Sequence, residues 1–496
     1  MNRDVGRRVV LWAVWVLASL SAAGCGGGGG GGGGDKSQPV GEPLPPTSGA
    51  VVSVMPGNGL VDVKLSTSIQ VVFSSAEHAV HSRVEIADEL GGTYGEAKVQ
   101  GSTINVVPLS GLVPGMSYSL HIRGGFSEPG SPAWDITTRF STARGRFDLP
   151  APVVAEPDAR AVAVGDVTGD GISDVLMSRS GVSRAGLLLR RGHADGTFDE
   201  PVLVDAGAPE RANENPFRIE IGDLNGDGLA DVVLCLANRG IQILMQTAEH
   251  TLVPGMRVDD FSALRSHIAD QNGDGRADLI VSTEGEILAV WFQDAAGQLR
   301  RMPWVADYRL TRALGALVAS GLSVGDLDGD GRPDLVMSGY EKNIAILSQQ
   351  SDGTYSPPSL LNTGSMVAFR VFVNDIDGDG HADIAALLRD KETGLSFVGI
   401  FYQRAGQFAA PVVLPASAVD DPQEIRVVDM DADGRRDIVV AYVGNRVGVI
   451  SQGRDGVFLP EVRFATRSGQ ASLAIGDFNA DGLADLIAGS GVMLQH

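Results

Sequence analysis

Cysteine is nearly absent, with only Cys25 and Cys235 in 496 residues. That excludes a disulfide framework, and no Cys/His pairs stand at the spacing of a structural zinc site. Cys235 lies in the apolar run DVVLCLA and reads as an inert buried thiol. Aromatic residues make up only 6% of the chain, which weakens the case for a sugar-stacking surface. Positive charge is in deficit: 39 Lys and Arg stand against 61 Asp and Glu, for a formal net charge of −22. Nucleic acid and anionic lipid surfaces would repel such a chain, so no nucleic-acid partner is expected. No apolar run after the N-terminus reaches the length of a membrane-spanning helix. The 8 histidines are scattered, and G-x-S-x-G, Walker and H-E-x-x-H motifs are all missing. No catalytic residue is nominated, and the chain is not expected to be an enzyme. The alternative is a secreted carbohydrate-active or lipid-active lyase or hydrolase.

What is present begins with an export signal. Arg3, Arg7 and Arg8 precede an unbroken apolar stretch from Val9 to Leu20, followed by small residues. Residues 1–25 end in Ala-Ala-Gly-Cys, which resembles a bacterial lipobox with Cys25 as the lipidated residue. Residues 26–49 open with nine glycines and continue through a Pro-containing stretch. No core can form there, and a coil of that length spans roughly 27 Å. The expectation is a lipid-anchored protein of the bacterial cell envelope, at the outer membrane or cell surface, lifted off the membrane by this tether.

Residues 50–143 alternate apolar and polar in short runs such as VDVKL, SIQVVFS, TINVVPL and SYSLHI, with Gly/Pro clusters between them. This is the pattern of a β-sandwich. The segment resembles bacterial Ig-like domains, which implies a spacer or adhesion module. His78 and His81 lie beside Glu77, where a solvated loop is favoured over a metal site.

Residues 145–496 are a repeat array. An acidic motif begins at Asp166, Asp223, Asp270, Asp326, Asp375, Asp429 and Asp477. Each copy has an alternating strand ending in Asp, the acidic loop, an apolar strand, a third strand that six times closes on glutamine, and a GxF..P..V-like strand. Four short strands per period, repeated seven times, predict an all-β, seven-bladed β-propeller behind the N-terminal sandwich. The chain stops after a third strand, and a segment of the missing fourth type stands before the first copy as GRFDLPAPVV. Residues 145–156 are therefore expected to complete the last blade and close the ring. An open solenoid would leave two exposed edges.

The motif reads Asp-x-(Asn/Asp/Thr)-(Gly/Ala)-Asp-Gly-x-x-Asp, placing oxygen side chains at positions 1, 3, 5 and 9. Calcium takes six to eight oxygen ligands in flexible geometry, which a short loop supplies with these side chains and the position-7 carbonyl. The candidate ligand sets are Asp166, Thr168, Asp170, Ile172 and Asp174, then Asp223, Asn225, Asp227, Leu229 and Asp231. Next come Asp270, Asn272, Asp274, Arg276 and Asp278, and Asp326, Asp328, Asp330, Arg332 and Asp334. The fifth and sixth are Asp375, Asp377, Asp379, His381 and Asp383, and Asp429, Asp431, Asp433, Arg435 and Asp437. The last is Asp477, Asn479, Asp481, Leu483 and Asp485. Up to seven structural Ca2+ ions are expected. An EF-hand would carry a glutamate at position 12 and helical flanks; these loops have apolar strand residues there. One such cluster is usually a turn, but seven in one register are not explained by turn chemistry. The loops starting at Asp326, Asp375 and Asp429 carry four carboxylates and should bind tightest, while Thr168 should make the first weakest. Ala432 and Ala480 replace the position-4 glycine and should strain their loops slightly.

GDLNGDGLADVVL at 222–234 and its siblings resemble the FG-GAP/VCBS repeats of integrin α-subunits and many secreted bacterial proteins. The resemblance implies a seven-bladed propeller with calcium between a blade's first two strands, on the face opposite the usual ligand surface. On that opposite face the long connections 206–218 and 305–321 would carry Arg211, Tyr308, Arg309 and Arg312. The function expected is a monomeric binding or adhesion scaffold for an unidentified protein or glycan ligand.

Overall fold

The structure is a computed structural model. It describes residues 50–63, 68–88, 96–107, 112, 117–124, 134–142, 151–152, 159–179, 186–207, 216–236, 240–283, 288–302, 321–339, 342–351, 353–404, 406–416, 420–443, 446–466, 472–488 and 491–495. The export signal, Cys25 and the tether lie outside these residues, as do Arg211, Tyr308, Arg309 and Arg312. Among the described residues no helix is long and apolar enough to cross a membrane.

The N-terminal portion forms two four-stranded sheets. One orders Val51–Met55, Ile69–Phe73, Thr103–Val107 and Glu96–Gln100; the other orders Leu60–Val63, Trp134–Thr142, Ser117–Gly124 and Ser82–Asp88. All pairs are antiparallel except Leu60–Val63 with Trp134–Thr142. Strict alternation puts Ile69, Val71 and Phe73 from one sheet against Leu120, Ile122 and Phe140 from the other. Tyr118 stacks on Phe140 at 5.4 Å between ring centroids.

The remainder contains seven four-stranded antiparallel sheets among the described residues. In six of them the strands pair in chain order, with a two-residue hairpin, Gln403–Arg404 with Gln407–Phe408, interposed in the fifth. In the last, Leu473–Gly476, Asp485–Ala488 and Gly491–Met493 are joined by Ala151–Pro152, from before the first sheet. The first strands of consecutive sheets contact one another from Ala159–Gly165 through Asp421–Val428, and Leu473–Gly476 packs back against Ala159–Gly165. The molecule is a β-propeller whose first strands line the axis.

The second strand of each repeat explains why its apolar run is uninterrupted. Asp231–Leu236 is buried at every position. Val232, Leu234 and Leu236 face the first sheet's core, whereas Val233 and Cys235 face the third sheet's. A strand with a neighbour on both faces needs apolar residues on both. The same division recurs at every boundary between neighbouring sheets. It includes the boundary where Val162, Val175 and Met177 of the first sheet meet Ala474, Ile487 and Val492 of the last. Cys235 is fully buried, and that burial pushes its thiol up to about 11, as an inert core residue requires. The glycine before the acidic loop has its own reason: a Cβ on Gly222 would stand 3.0 Å from Ile268 of the next first strand.

Candidate metal centres

The acidic loops join the first strand of each sheet to the second, and two of their residues act as anchors. Position 2 turns inward: Val167, Leu224, Leu327, Ile376, Met430 and Phe478 are buried. Gln271 is the polar exception, also buried, donating from Nε2 to the Pro333 carbonyl of the next loop. The position-9 aspartates are buried as well. One oxygen of each accepts the position-2 N–H, as Asp231 does from Leu224 at 2.9 Å. The other accepts the N–H at the end of the third strand, as Asp231 does from Gln246 at 2.9 Å. All seven copies repeat this pair of bonds, with Gly192 replacing glutamine in the first.

Position 1 folds the loop. Asp326 accepts from Gly329 and Asp330 through Oδ1 and from Gly331 through Oδ2 at 2.7–3.2 Å. Comparable bonds recur at Asp166, Asp223, Asp270, Asp375, Asp429 and Asp477. Positions 4 and 6 take positive φ throughout, such as 77° and 83° at Gly329 and Gly331. Ala432 and Ala480 take the same left-handed conformation at 54° and 58°. An L residue pays about 1–2 kcal/mol there, less the entropy that glycine loses on folding. Ala432→Gly and Ala480→Gly should each therefore raise stability by roughly 0.5–1 kcal/mol in denaturant melts. A loss of stability in both variants would refute the strain.

Three loops gather carboxylates. Oxygens of Asp326, Asp328 and Asp334 lie within 4.8 Å of one another, as do those of Asp375, Asp377 and Asp383 and those of Asp429, Asp431 and Asp437. These are positions 1, 3 and 9. Position 5 is not brought into these groups. Its Oδ1 accepts the position-7 N–H, for example Asp330 from Arg332 at 2.9 Å and Asp227 from Leu229 at 2.9 Å. In three copies its other oxygen pairs with the position-7 guanidinium, in Arg276–Asp274, Arg332–Asp330 and Arg435–Asp433. In the fifth copy Arg404 bonds Asp377 and reaches Asp379 at 2.9 Å. Position 3 is Thr168, Asn225, Asn272 and Asn479 in the other copies, and the two amides at Asn225 and Asn479 each donate to the position-5 carboxylate at 3.0 Å. Position-7 N–H groups of Ile172, Arg276, His381, Arg435 and Leu483 bond position 5 in the same way.

The electrostatics of the buried position-9 carboxyls favour a cation. Burial, ahead of the neighbouring aspartates, pushes the carboxyls of Asp231, Asp278, Asp334 and Asp383 up to about 6. Asp174 and Asp485 move in the same direction for the same reason. Asp328 is also raised, by burial and then by Asp330. Asp377 Oδ1 is buried with no hydrogen-bond partner. Carboxylate oxygens in a cluster short of positive charge fit a hard divalent cation, with calcium preferred to magnesium for its tolerance of irregular geometry. Elsewhere, His78 Nδ1 contacts the Ser74 and Ser75 hydroxyls and His81 Nδ1 the Glu77 carbonyl, on the short helix Ala76–Val80.

The glutamines closing the third strands tie neighbouring loops together. Gln349 and Gln403 donate from Nε2 to the position-2 carbonyls of the preceding loops, Gln271 and Leu327. Gln452 donates to Ile376 at 3.3 Å and Gln495 to Met430 at 2.6 Å. The sequence shows these glutamines recurring, but their acceptors lie 65–78 residues away.

A model of the FG-GAP-like repeat matches residues 166–234, 270–337, 326–386 and 398–488, together more than half of the chain. No curated protein of matching sequence was found. Among solved structures, the propeller of Dos1 aligns with a TM-score of 0.41 and 9% identity, over 70% of this chain and 94% of that one.

Proposed function

We propose that this chain, which belongs to the FG-GAP-like repeat family, is a calcium-stabilised seven-bladed propeller that serves as an extracytoplasmic binding scaffold. The observation that carries the reading is the convergence of positions 1, 3 and 9 in the loops at Asp326, Asp375 and Asp429. Bound calcium would neutralise those carboxylates. Asp334, Asp383 and Asp437 would pass the gain in rigidity to the third strand through their bonds to Gln349, Gln403 and Gln452. The remaining loops, with Asn or Thr at position 3, would hold calcium more weakly.

The reading places the scaffold at the bacterial cell envelope, held by lipid on Cys25 and spaced by the tether and an Ig-like domain over residues 50–143. Its ligand would be a protein or glycan, and the chain would act as a monomer. A non-enzymatic role is favoured because the sequence carries no nucleophile motif and its recurring aspartates are accounted for as candidate metal ligands. Partner capture from envelope extracts, run with calcium and after calcium removal on chelating resin, tests the role. The expected result is a saturable partner that is lost on calcium removal and regained on its return. Substrate turnover by the purified protein would instead establish the lyase or hydrolase alternative.

A further inference from the structure

The axis of the propeller carries a second chemistry. Five residues before the first aspartate of each loop, the axial strands hold Arg218, Arg265, Arg370 and Glu424 in four copies. The other three copies hold the small residues Ala161, Gly321 and Ser472. Each of the four charged residues directly follows a slip in strand register, between Pro216 and Arg218, Ala263 and Arg265, Ala368 and Arg370, and Pro422 and Glu424. Bulges re-aim side chains and concentrate beside functional sites. Five residues of extended chain put this layer about 16 Å from the acidic loops.

The charges do not balance. Glu424, 5% exposed, takes the Arg265 fork at 3.1 and 3.3 Å and Arg426 at 2.6 Å. Arg218 pairs with Glu424 only at 3.6 Å, beyond a hydrogen bond, and donates from Nη1 to the Phe217 carbonyl at 3.1 Å, while its buried Nε has no partner. Arg370 donates to the backbone carbonyls of Gln423 at 2.8 Å and Phe369 at 2.7 Å. Glu220, the other carboxylate there among the described residues, faces His267 at 3.5 Å. Among the described residues four guanidinium groups thus stand against two carboxylates, in a chain that is strongly acidic overall. Burial, then the Arg265 charge, pulls Arg218 down to about 9; burial opposes the Glu424 charge, but the four arginines outweigh it and hold that carboxyl well below its usual range. A buried glutamate acting only as a structural tie between strands needs one good fork, which Arg265 already provides.

Arg218, Arg265, Arg426, Glu220 and Glu424 line a cavity of about 60 Å³ that also receives Ser472, whose buried hydroxyl has no hydrogen-bond partner. That is several times the space one water requires. We propose that this axial cavity is an anion site, binding one small oxyanion, a carboxylate or a tetrahedral sulfate- or phosphate-type group, through Arg218 and Ser472 with Arg265 and Arg426 behind them. Guanidinium forks match both anion shapes. The site depends on neither calcium nor the lipid anchor.

The test is calorimetric titration of the full chain with sodium sulfate and with sodium acetate, in calcium-containing buffer at an ionic strength fixed with chloride. One saturable site is expected for at least one of the two, and which one binds distinguishes tetrahedral from carboxylate ligands. Arg218→Gln should weaken it at least about tenfold, the loss of a charge-assisted hydrogen bond. Ser472→Ala should weaken it roughly fivefold, and Glu424→Gln, which removes the competing carboxylate, should tighten it. No saturable binding of either anion by the unmodified protein overturns the proposal. So does unchanged affinity in folded Arg218→Gln, or in Ser472→Ala should the arginine variant fail to fold.

Discussion

Removing calcium on a chelating resin should lower the melting temperature of the full chain by about 10 °C, with recovery on adding calcium back. Oxygens of three carboxylates lie within 4.8 Å in each of three loops. Two unit charges at that separation repel by roughly 3 kcal/mol at an effective dielectric constant near 20. A divalent ion turns this repulsion into attraction, and at a hundredfold excess over its dissociation constant each site adds about 2.7 kcal/mol. Three filled sites would contribute roughly 8 kcal/mol, about 10 °C for a domain of this size. Asp328→Asn and Asp431→Asn sharpen the expectation, because asparagine occupies the same position in the second, third and seventh loops. Each variant should leave the calcium-free protein as stable as before, or more so, while shrinking the calcium-induced rise. Identical melts with and without calcium would refute metal loading. A resin is preferable to a carboxylate chelator, which would itself be a ligand for an axial anion site.

Deleting residues 144–156 should be the most damaging small excision outside the loops, costing roughly 3–5 kcal/mol, or about 5 °C. Ala151 and Pro152 pair with Val492 and Gly491, so a segment covalently attached to the first sheet supplies the outer strand of the last. Its loss removes those ladder bonds, exposes the edge of Gly491–Met493, and unfastens two sheets whose chain connection otherwise runs around the whole ring. The packing of Val162, Val175 and Met177 on Ala474, Ile487 and Val492 remains, as does the Phe198–Phe478 edge contact at 6.0 Å. The deletion should therefore weaken closure and leave the sheets themselves folded. Circular dichroism melts check this, and an unchanged midpoint would show that the strand does not fasten the ring.

Features that lie close together along the chain can be read from it directly. The acidic loop is nine residues long, so its carboxylates, its glycine pivots and the strands on either side are legible from one repeat, and their recurrence identifies the family. The unbroken apolar second strands announce burial on both faces, which a ring of sheets provides. Spacing alone leaves the ligand set open. It groups positions 1, 3, 5 and 9, whereas the structure joins 1, 3 and 9 in three loops and turns position 5 toward arginine or the backbone. Both arrangements satisfy the same spacing, and the side-chain rotamers and the guanidinium partners choose between them.

Only the tertiary structure decides the rest. The glutamines recur visibly, but their role depends on the loop of the neighbouring sheet. The axial charges were equally open to view, as arginines interrupting small or apolar positions at a fixed distance before the loops. Yet Arg265 and Glu424 are 159 residues apart, and no local pattern pairs them. Closing the ring brings the first strands of distant repeats to a common axis, where Arg218, Arg265, Glu424 and Arg426 share one small cavity. A repeat specifies its own loop through short-range chemistry; what the centre of the ring holds depends on which repeats differ and how closure sets them side by side.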